Sequence, residues 1–316
     1  MKNINRAFAV LILFAGINVL AACTKAIIED QPGPDYPEVE RIEHATLRIV
    51  TLNVAHGRKD SINQFLVSNS SIVDNLDTIA TLLRTVDADV VALQEADGPS
   101  MWSGYFNHVS YVANAAGYPA SIYSAHVNGK RINYGTALLS KTPFQASISH
   151  DFPESPPTMR KGFTLGQVQW QALDDAPAVA IDIISVHLDF SRKSVRQQQV
   201  GEMRALIKNR LNPLVILGDF NSDWLVDESA VQLLAKCTNM KAFEPDSVGN
   251  GTYKNGKKRL DWILLSNDLE FKTYRVLPEV VSDHSAVMAE IILNPVGAKP
   301  SVGVPVAEQC NVLLGS

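Results

Sequence analysis

The chain of 316 residues lacks the short motifs that identify several common enzyme classes. It contains no Gly-x-Ser-x-Gly nucleophile elbow, no His-Glu-x-x-His zinc motif and no P-loop. These absences argue most directly against a serine hydrolase. Internal repeats and low-complexity tracts are also absent, and no linker divides residues 44–294, so the sequence predicts one large domain there.

Basic residues are fewer than acidic ones. The chain has 28 lysines and arginines against 33 aspartates and glutamates, which gives a net charge of −5. Because no broad basic face is visible, tight non-specific binding to long nucleic acid is disfavoured. One local basic cluster, formed by Lys254, Lys257, Lys258 and Arg259, precedes Asp261. This cluster is equally consistent with a solvated loop and with a substrate contact.

The apolar run near the N-terminus is too short for a comfortable membrane span. Residues 7–19 follow the basic residues Lys2 and Arg6, and a Leu-Ala-Ala-Cys sequence ending at Cys23 comes next. This pattern resembles the bacterial lipobox, which implies cleavage before Cys23 and lipid attachment to its sulfur and new amino group. Two or three acyl chains would anchor the protein stably in the cell envelope. An ordinary secretory signal peptide is the alternative.

The sequence therefore divides into four predicted parts. They are a lipoprotein signal peptide at 1–22, a lipidated tether rich in proline and acids at 23–43, a folded domain at 44–294 and a C-terminal tail at 295–316. Cys237 and Cys310 are the only cysteines left after lipidation. They can pair in an oxidising compartment, or Cys237 can be a buried free thiol, and the sequence leaves both open.

Six strand-like apolar runs carry a polar side chain at one end. The runs and their polar groups are 47–52 with Asn53, 90–94 with Glu95, 179–186 with His187, 213–218 with Asp219 and Asn221, 262–265 with Asp261, and 285–293 with Asp283 and His284. Polar groups at strand ends gather at one edge of a sheet, where loops open to solvent. Four strand exits and two entries at one edge require both strand directions, which predicts a mixed α/β sandwich.

The sequence also predicts elements between these runs. Apolar residues recur at helical spacing after Ser71, which is predicted to begin a helix with Asp74 three residues on. Residues 194–209 predict a second helix, and residues 134–140 predict a buried strand. Residues 167–172 alternate strictly between polar and apolar, as in a strand with one wet face.

The strand-end residues form a set that suits a hard divalent cation. The oxygen donors are Asn53, Glu95, Asp219, Asn221 and Asp283. Oxygen ligands without cysteine favour Mg²⁺ over Zn²⁺, with Mn²⁺ as a substitute. His187 and His284 can transfer protons or stabilise phosphoryl charge, and a carboxylate such as Asp261 can hold the tautomer of His284. Each residue alone has an ordinary explanation as a turn, cap or core residue, but six such placements together favour phosphate-ester hydrolysis.

The same residues lie in segments that resemble the endonuclease/exonuclease/phosphatase superfamily, the deoxyribonuclease I-like metal-dependent phosphoesterases. The resemblance extends from residue 47 to residue 293 and follows the family order. The matching segments are 51–54, 94–95, 134–140, 186–189, 218–221, 260–263 and 282–284. The resemblance implies an α/β fold, a four-layer sandwich of two mixed β-sheets flanked by helices.

The resemblance also implies roles for the residues that would surround a metal and a water molecule. Glu95 would be the principal metal ligand, with Asn53 and Asp283 near the metal. Asp219 and Asn221 would position the attacking water and the phosphate.

Further roles follow for the histidines and their neighbours. His187 would contact the phosphate or protonate the leaving group, whereas His284, oriented by Asp261, would act as a base or a phosphate ligand. Tyr134 and Arg196 are candidate substrate contacts. Arg196 resembles a recurrent arginine at a helix start, which is more often structural than catalytic.

Two classes of function therefore stand as hypotheses. The first is metal-dependent hydrolysis of a phosphodiester or phosphomonoester by an envelope-anchored enzyme, acting on nucleic acid, a phospholipid head group or a sugar phosphate. The second is a non-catalytic lipoprotein that binds phosphorylated ligands with the same fold. The complete set of site residues favours the first, since a degenerate copy would be expected to lose some of them. No protein partner is evident.

Overall fold

Twelve strands form two six-stranded sheets in the part of the chain that the structure, a computed structural model, describes: residues 40–173, 176–294 and 310. The strands of sheet one are β1 (Leu47–Asn53), β2 (Val90–Asp97), β3 (Ala120–Asn128), β4 (Asn133–Ser140), β11 (Leu269–Val276) and β12 (Val287–Leu293). The strands of sheet two are β5 (Ala146–Asp151), β6 (Gly162–Trp170), β7 (Val179–His187), β8 (Leu214–Asp219), β9 (Lys241–Ala242) and β10 (Asp261–Leu265).

Both sheets contain parallel and antiparallel neighbours. The order is β11-β12-β1-β2-β4-β3 in sheet one and β5-β6-β7-β8-β10-β9 in sheet two. In sheet one, β1 runs parallel to β2 and antiparallel to β12. In sheet two, β8 runs parallel to β7 and antiparallel to β10. The predicted mixed sheet is confirmed. The six polar strand ends, however, do not share one sheet as expected, because three belong to each sheet.

Four α-helices cover the outer faces of the sheets in the described residues. They are α1 (Asn69–Val86), α2 (His108–Ala116), α3 (Lys193–Ile207) and α4 (Ala230–Thr238). The first helix begins earlier than predicted, because the hydroxyl of Ser68 caps it by accepting a hydrogen bond from the Ser71 amide at 3.2 Å. Among these helices none has the length and apolar character needed to cross a bilayer.

Three layers of buried apolar side chains lie between the four layers of backbone. One lies between α1 and sheet one and includes Leu76 and Leu93. The second lies between the sheets and includes Ile49 and Val215. The third lies under α3 and includes Met203. Burial of each such side chain contributes roughly 1.5–3 kcal/mol, so these layers fix how the two sheets face each other. The predicted four-layer sandwich is confirmed.

A disulfide joins Cys237, near the end of α4, to Cys310. Of the two alternatives that the sequence left open for Cys237, the structure shows the paired one. Cys310 is the one described residue beyond residue 294. The predicted signal peptide, Cys23 and most of the tether and tail lie outside the described residues.

Candidate active site

The facing edges of the two sheets bring the polar strand ends together around one carboxylate oxygen, Asp219 Oδ2. Asn53 at the end of β1 donates its side-chain amide to this oxygen at 3.0 Å, which links sheet one to sheet two. His187 Nε2 lies 3.5 Å from the same oxygen, and His284 Nε2 lies 3.9 Å from it. These four side chains are all buried. Residues 166 positions apart in sequence thus form one polar centre.

Glu95 reaches this centre from a β-bulge. The pairing of β2 with β4 shifts register between Gln94 and Ala96, and Glu95 has a positive φ of 50°. A bulge leaves one residue unpaired and changes the direction of its side chain, a feature often found next to active sites. The carboxylate lies 3.3 Å (Oε2) from His56 Nε2 and 3.9 Å (Oε1) from His187 Nε2.

The electrostatic surroundings keep Glu95 ionised. Burial by itself would raise the pKa of its carboxyl, but the positive charges of His56 and Lys161 outweigh burial and hold the pKa well below its usual range. The side chain keeps 19% of its surface exposed. Glu95 is therefore an anion that a cation from solvent can reach.

The end of β8 and the residues directly after it position Asp219 and Asn221. Gly218 has a φ of 150°, and a Cβ there would lie 2.0 Å from the carbonyl oxygen of Val186, so only glycine fits beside β7. Asn221, at a φ of 48°, donates its backbone amide to Asp219 Oδ1 at 2.8 Å. Its side-chain amide donates to the carbonyl of Leu188 at 3.0 Å. Both oxygens of Asp219 are thereby oriented.

His284 is paired with Asp261, as the sequence predicts. The Nδ1 atom of His284 lies 2.7 Å from Asp261 Oδ2, which also accepts a hydrogen bond from the hydroxyl of Thr252 at 2.6 Å. Burial would lower the pKa of His284, but Asp261 and then Asp219 raise it to about 10. At neutral pH His284 is an imidazolium with Nε2–H directed toward Asp219.

His187, in contrast, is uncharged. It is buried beside Lys161, a residue that sequence reasoning missed. Lys161 Nζ lies 3.4 Å from His187 Nδ1. An ammonium group only donates, so Nδ1 accepts and the ring proton lies on Nε2. Burial, reinforced by the charge of Lys161, lowers the pKa of His187 well below its usual value. The result is a neutral imidazole whose Nε2–H faces the centre.

His56 and Asp97 were also missed. The Nδ1 atom of His56 lies 2.7 Å from Asp97 Oδ1, while its Nε2 faces Glu95. His56 follows Asn53 by three positions, and Asp97 follows Glu95 by two. The sequence singled out Asn53 and Glu95 but not His56 and Asp97. That proximity is the only signal that could have drawn attention to them.

The donor groups around Glu95 suit a hard divalent cation. Glu95 Oε1 accepts no hydrogen bond from the described residues, and nearby Asn53 keeps a carbonyl oxygen that bonds only the Ala55 amide, at 3.0 Å. Asp283 pairs with Arg58 at 2.7 Å. Ligand atoms of Asp219, Asp261 and His284 also lie within 4.8 Å of one another. An imidazolium at His284, however, has no lone pair to offer a cation, so the Glu95 group is the better metal site. Oxygen-rich donors of this kind suit Mg²⁺ or Mn²⁺, so the residues fit the predicted metal.

The side chains of Tyr134 and Arg196 donate hydrogen bonds to backbone carbonyls near the site. Tyr134 is 1% exposed, and its hydroxyl donates to the carbonyl of Arg160 at 3.2 Å. Arg196 donates to the carbonyl of Asp189 at 2.9 Å, next to the end of β7. In the basic cluster, Arg259 is buried with its guanidinium 3.8 Å from the ring centre of Trp262, which accounts for it structurally.

The sequence matches the Endonuclease/Exonuclease/phosphatase family over residues 50–284, which is most of the chain. The chain therefore belongs to this family, and its activity class is the hydrolysis of phosphate esters. The matched segment includes ten of the eleven predicted site residues, all except Cys23. A comparison with curated protein sequences finds no match.

Several solved structures share the fold at low sequence identity. A Bacteroides thetaiotaomicron endonuclease/exonuclease/phosphatase family protein has a TM-score of 0.61 and 16% identity, covering 79% of this chain and 98% of its own. A mannosyl-6-phosphatase from the same organism has a TM-score of 0.57 and 18% identity, with coverages of 78% and 100%. The human Nocturnin catalytic domain with bound sulfate has a TM-score of 0.57 and 14% identity, with coverages of 79% and 96%.

Proposed function

We propose that the protein is a divalent-metal-dependent phosphoesterase, which hydrolyses a phosphodiester or phosphomonoester by attack of water. The observation that supports this most strongly is the centre around Asp219 Oδ2. There, an oriented carboxylate, an imidazolium and a neutral imidazole face an ionised Glu95. Membership of the family supports the same reaction class.

Asp219 is the proposed acceptor of the proton from the attacking water. Burial raises the pKa of its carboxyl above the usual range, despite the neighbouring His284 cation. A general base works best when its pKa lies near the working pH, so this shift suits the role. Asn221 and Asn53 hold the carboxylate in one orientation through their amide groups.

The two histidines are the proposed donors to phosphoryl oxygens. His284 donates as an imidazolium whose orientation Asp261 fixes, which favours the phosphate-ligand role over the role of base. His187 donates from neutral Nε2–H. Fixed donors of this kind stabilise the charge that develops on the oxygens in the transition state.

Glu95 is the proposed principal ligand of Mg²⁺ or Mn²⁺, with Asn53 and Asp283 beside it. When bound, such an ion supplies Lewis-acid polarisation of a phosphoryl oxygen. The ionised state of Glu95 and its accessible Oε1 support this assignment.

The test is hydrolysis of bis-p-nitrophenyl phosphate and p-nitrophenyl phosphate by the parent, Glu95→Ala and the control Glu202→Ala, which alters a residue paired with His150 on sheet two. We expect EDTA to abolish activity, Mg²⁺ or Mn²⁺ to restore it, and Glu95→Ala to be inactive. Full activity of Glu95→Ala in EDTA would contradict the proposal. A parent that binds phosphorylated ligands without turnover in any metal would favour the alternative, a non-catalytic binding lipoprotein.

We further propose that a lipid on Cys23 anchors the enzyme to the bacterial cell envelope. The basis is the short apolar run that ends in Leu-Ala-Ala-Cys. Cys23→Ala should move the protein from the membrane fraction to a soluble or uncleaved form. Intact-mass analysis that shows an unmodified mature chain starting elsewhere would reject the anchor.

The proposed substrate is a small phosphorylated head group, on a phospholipid or a sugar, rather than long nucleic acid. The net charge of −5 and the proposed membrane anchor support this choice. A panel of plasmid DNA, RNA, sphingomyelin, phosphoinositides and sugar phosphates, each with Mg²⁺, tests it. Preferential cleavage of plasmid DNA or RNA would show that the substrate is nucleic acid.

A further inference from the structure

We infer that His56 is a positioning residue that, held by Asp97, fixes the Glu95 carboxylate for its metal. The inference rests on the proposed function, because the proposal assigns the metal to Glu95. The geometry that carries it is a continuous row of three side chains. Asp97 Oδ1 lies 2.7 Å from His56 Nδ1, and His56 Nε2 lies 3.3 Å from Glu95 Oε2.

Both ring nitrogens of His56 face carboxylate oxygens. A carboxylate only accepts hydrogen bonds, so a ring between two of them is satisfied best when both nitrogens carry protons. Asp97 is itself fully buried, so its pairing with His56 also accounts for a carboxylate that would otherwise be costly to bury.

The surrounding structure prevents the ring of His56 from turning away. The rings of Trp102 and Tyr134 pack edge-on against it, with centroids at 5.2 and 5.1 Å. The side-chain amide of Gln64 donates to the backbone carbonyl of His56 at 3.2 Å. This packing gives the buried Tyr134 a function without any contact to substrate.

The backbone at His56 adopts a strained conformation that helps to set the position of its side chain. Ala55, His56 and Gly57 have positive φ values of 46°, 56° and 71°. Left-handed conformations at two successive non-glycine residues are unfavourable, and such strain persists where the surroundings over-determine it. Here it directs the ring toward Glu95, whose own φ is 50°.

The contact with Oε2 leaves Oε1 as the oxygen that can bind a cation. A glutamate on a bulge has three free side-chain torsions, and the packed ring of His56 beside one oxygen removes most of that freedom. Ligands held in this way bind metal more tightly, because the cost of ordering them has already been met by folding. His56 and Asp97 therefore act on the metal through Glu95 without contacting it.

The test is Mn²⁺ binding to the full chain, measured by titration calorimetry beside thermal melts. The variants are His56→Asn and Asp97→Asn, since asparagine tolerates the left-handed backbone at residue 56 and keeps the shape of residue 97. We expect each to weaken Mn²⁺ binding by about 10- to 100-fold. Asp97→Asn should keep a near-parental melting temperature, whereas His56→Asn should melt lower, because it leaves the buried Asp97 carboxylate without its partner, but still as one folded species. His150→Asn, a substitution of a histidine paired with Glu202 away from this centre, should bind like the parent.

Glu95→Gln separates the two proposals. If it abolishes Mn²⁺ binding while both His56→Asn and Asp97→Asn bind like the parent, the positioning role is wrong and the metal assignment stands. If Glu95→Gln binds Mn²⁺ like the parent, the metal assignment fails and the inference fails with it. Should His56→Asn fail to fold, Asp97→Asn decides, because it leaves the ring and the strained backbone in place.

Discussion

At the scale of single residues, the two histidines of the site differ in charge because their neighbours differ. His284 lies against the carboxylate of Asp261 at 2.7 Å, and His187 lies against the ammonium of Lys161 at 3.4 Å. A carboxylate stabilises an imidazolium and an ammonium destabilises it. The same side chain therefore supplies one cationic and one neutral donor, and each state can be tested separately.

The charge of His284 predicts an alkaline limit of turnover. Because its pKa is raised to about 10, the donor proton should persist through neutral pH and be lost only as the pH approaches that value. Asp261→Asn removes the main group that raises the pKa, so the alkaline fall in kcat should move to lower pH. A pH–rate profile measures this, with the exposed-loop variant Asp227→Asn as the control. If the pH–rate profile of Asp261→Asn matched that of the parent, His284 would not act as a cation.

Loss of the ring itself should have a larger effect. His284→Ala and His187→Ala should each lower kcat by about 10²- to 10⁴-fold with near-parental melting temperatures, because each removes one positioned donor. Steady-state assays and thermal melts on the same preparations check this. If a variant lost activity only because it unfolded, the histidine it replaces would have a structural role in the core instead.

The neutral state of His187 predicts a role for Lys161. Lys161→Met removes the donor to Nδ1, so His187 should lose its single tautomer and kcat should fall by about 10- to 100-fold. Lys161→Arg keeps a donor and should recover part of the loss. Nitrogen NMR shifts of the His187 ring report the tautomer directly. An unchanged Nε2–H tautomer in Lys161→Met would contradict this role.

At the scale of elements, the packing of the end of β8 against β7 depends on a glycine. Gly218→Ala would place a Cβ 2.0 Å from the carbonyl of Val186 in β7, and the neighbouring strands cannot separate without breaking their ladder. We expect it to destabilise the fold by about 2–4 kcal/mol and to displace Asp219. Gly249→Ala is the matched control, since its nearest atom is a side-chain oxygen at 3.8 Å. Equal melting temperatures for the two variants would contradict this.

Regular elements could be predicted from the sequence because their signals are local. The apolar runs before Asn53 and His187 and the helical spacing of α1 each depend on residues close together in the chain. The pairing of Asp261 with His284 followed from the roles of strand-end residues. The bulge that re-aims Glu95 arises from pairing with β4, and no local pattern encodes it. Lys161 and His56 lie outside the predicted strands, so tertiary contacts alone decide how their side chains are oriented.

At the scale of the whole molecule, the disulfide joins Cys310 to Cys237 in α4, on the outer face of sheet two. The bond spans a sequence separation of 73 residues, so it removes a large amount of conformational freedom from the unfolded chain. Cys237 is 1% exposed, which protects it from reductants in the folded state.

The double variant Cys237→Ala/Cys310→Ala should lower the free energy of unfolding by about 2–5 kcal/mol. Denaturant unfolding of the parent and the variant under oxidising conditions measures the difference. The active centre is built from strands of both sheets and includes neither cysteine, so kcat well below the unfolding transition should stay parental. A large loss of turnover in the still-folded variant would show instead that the bond helps to hold the two sheets in register around Asp219.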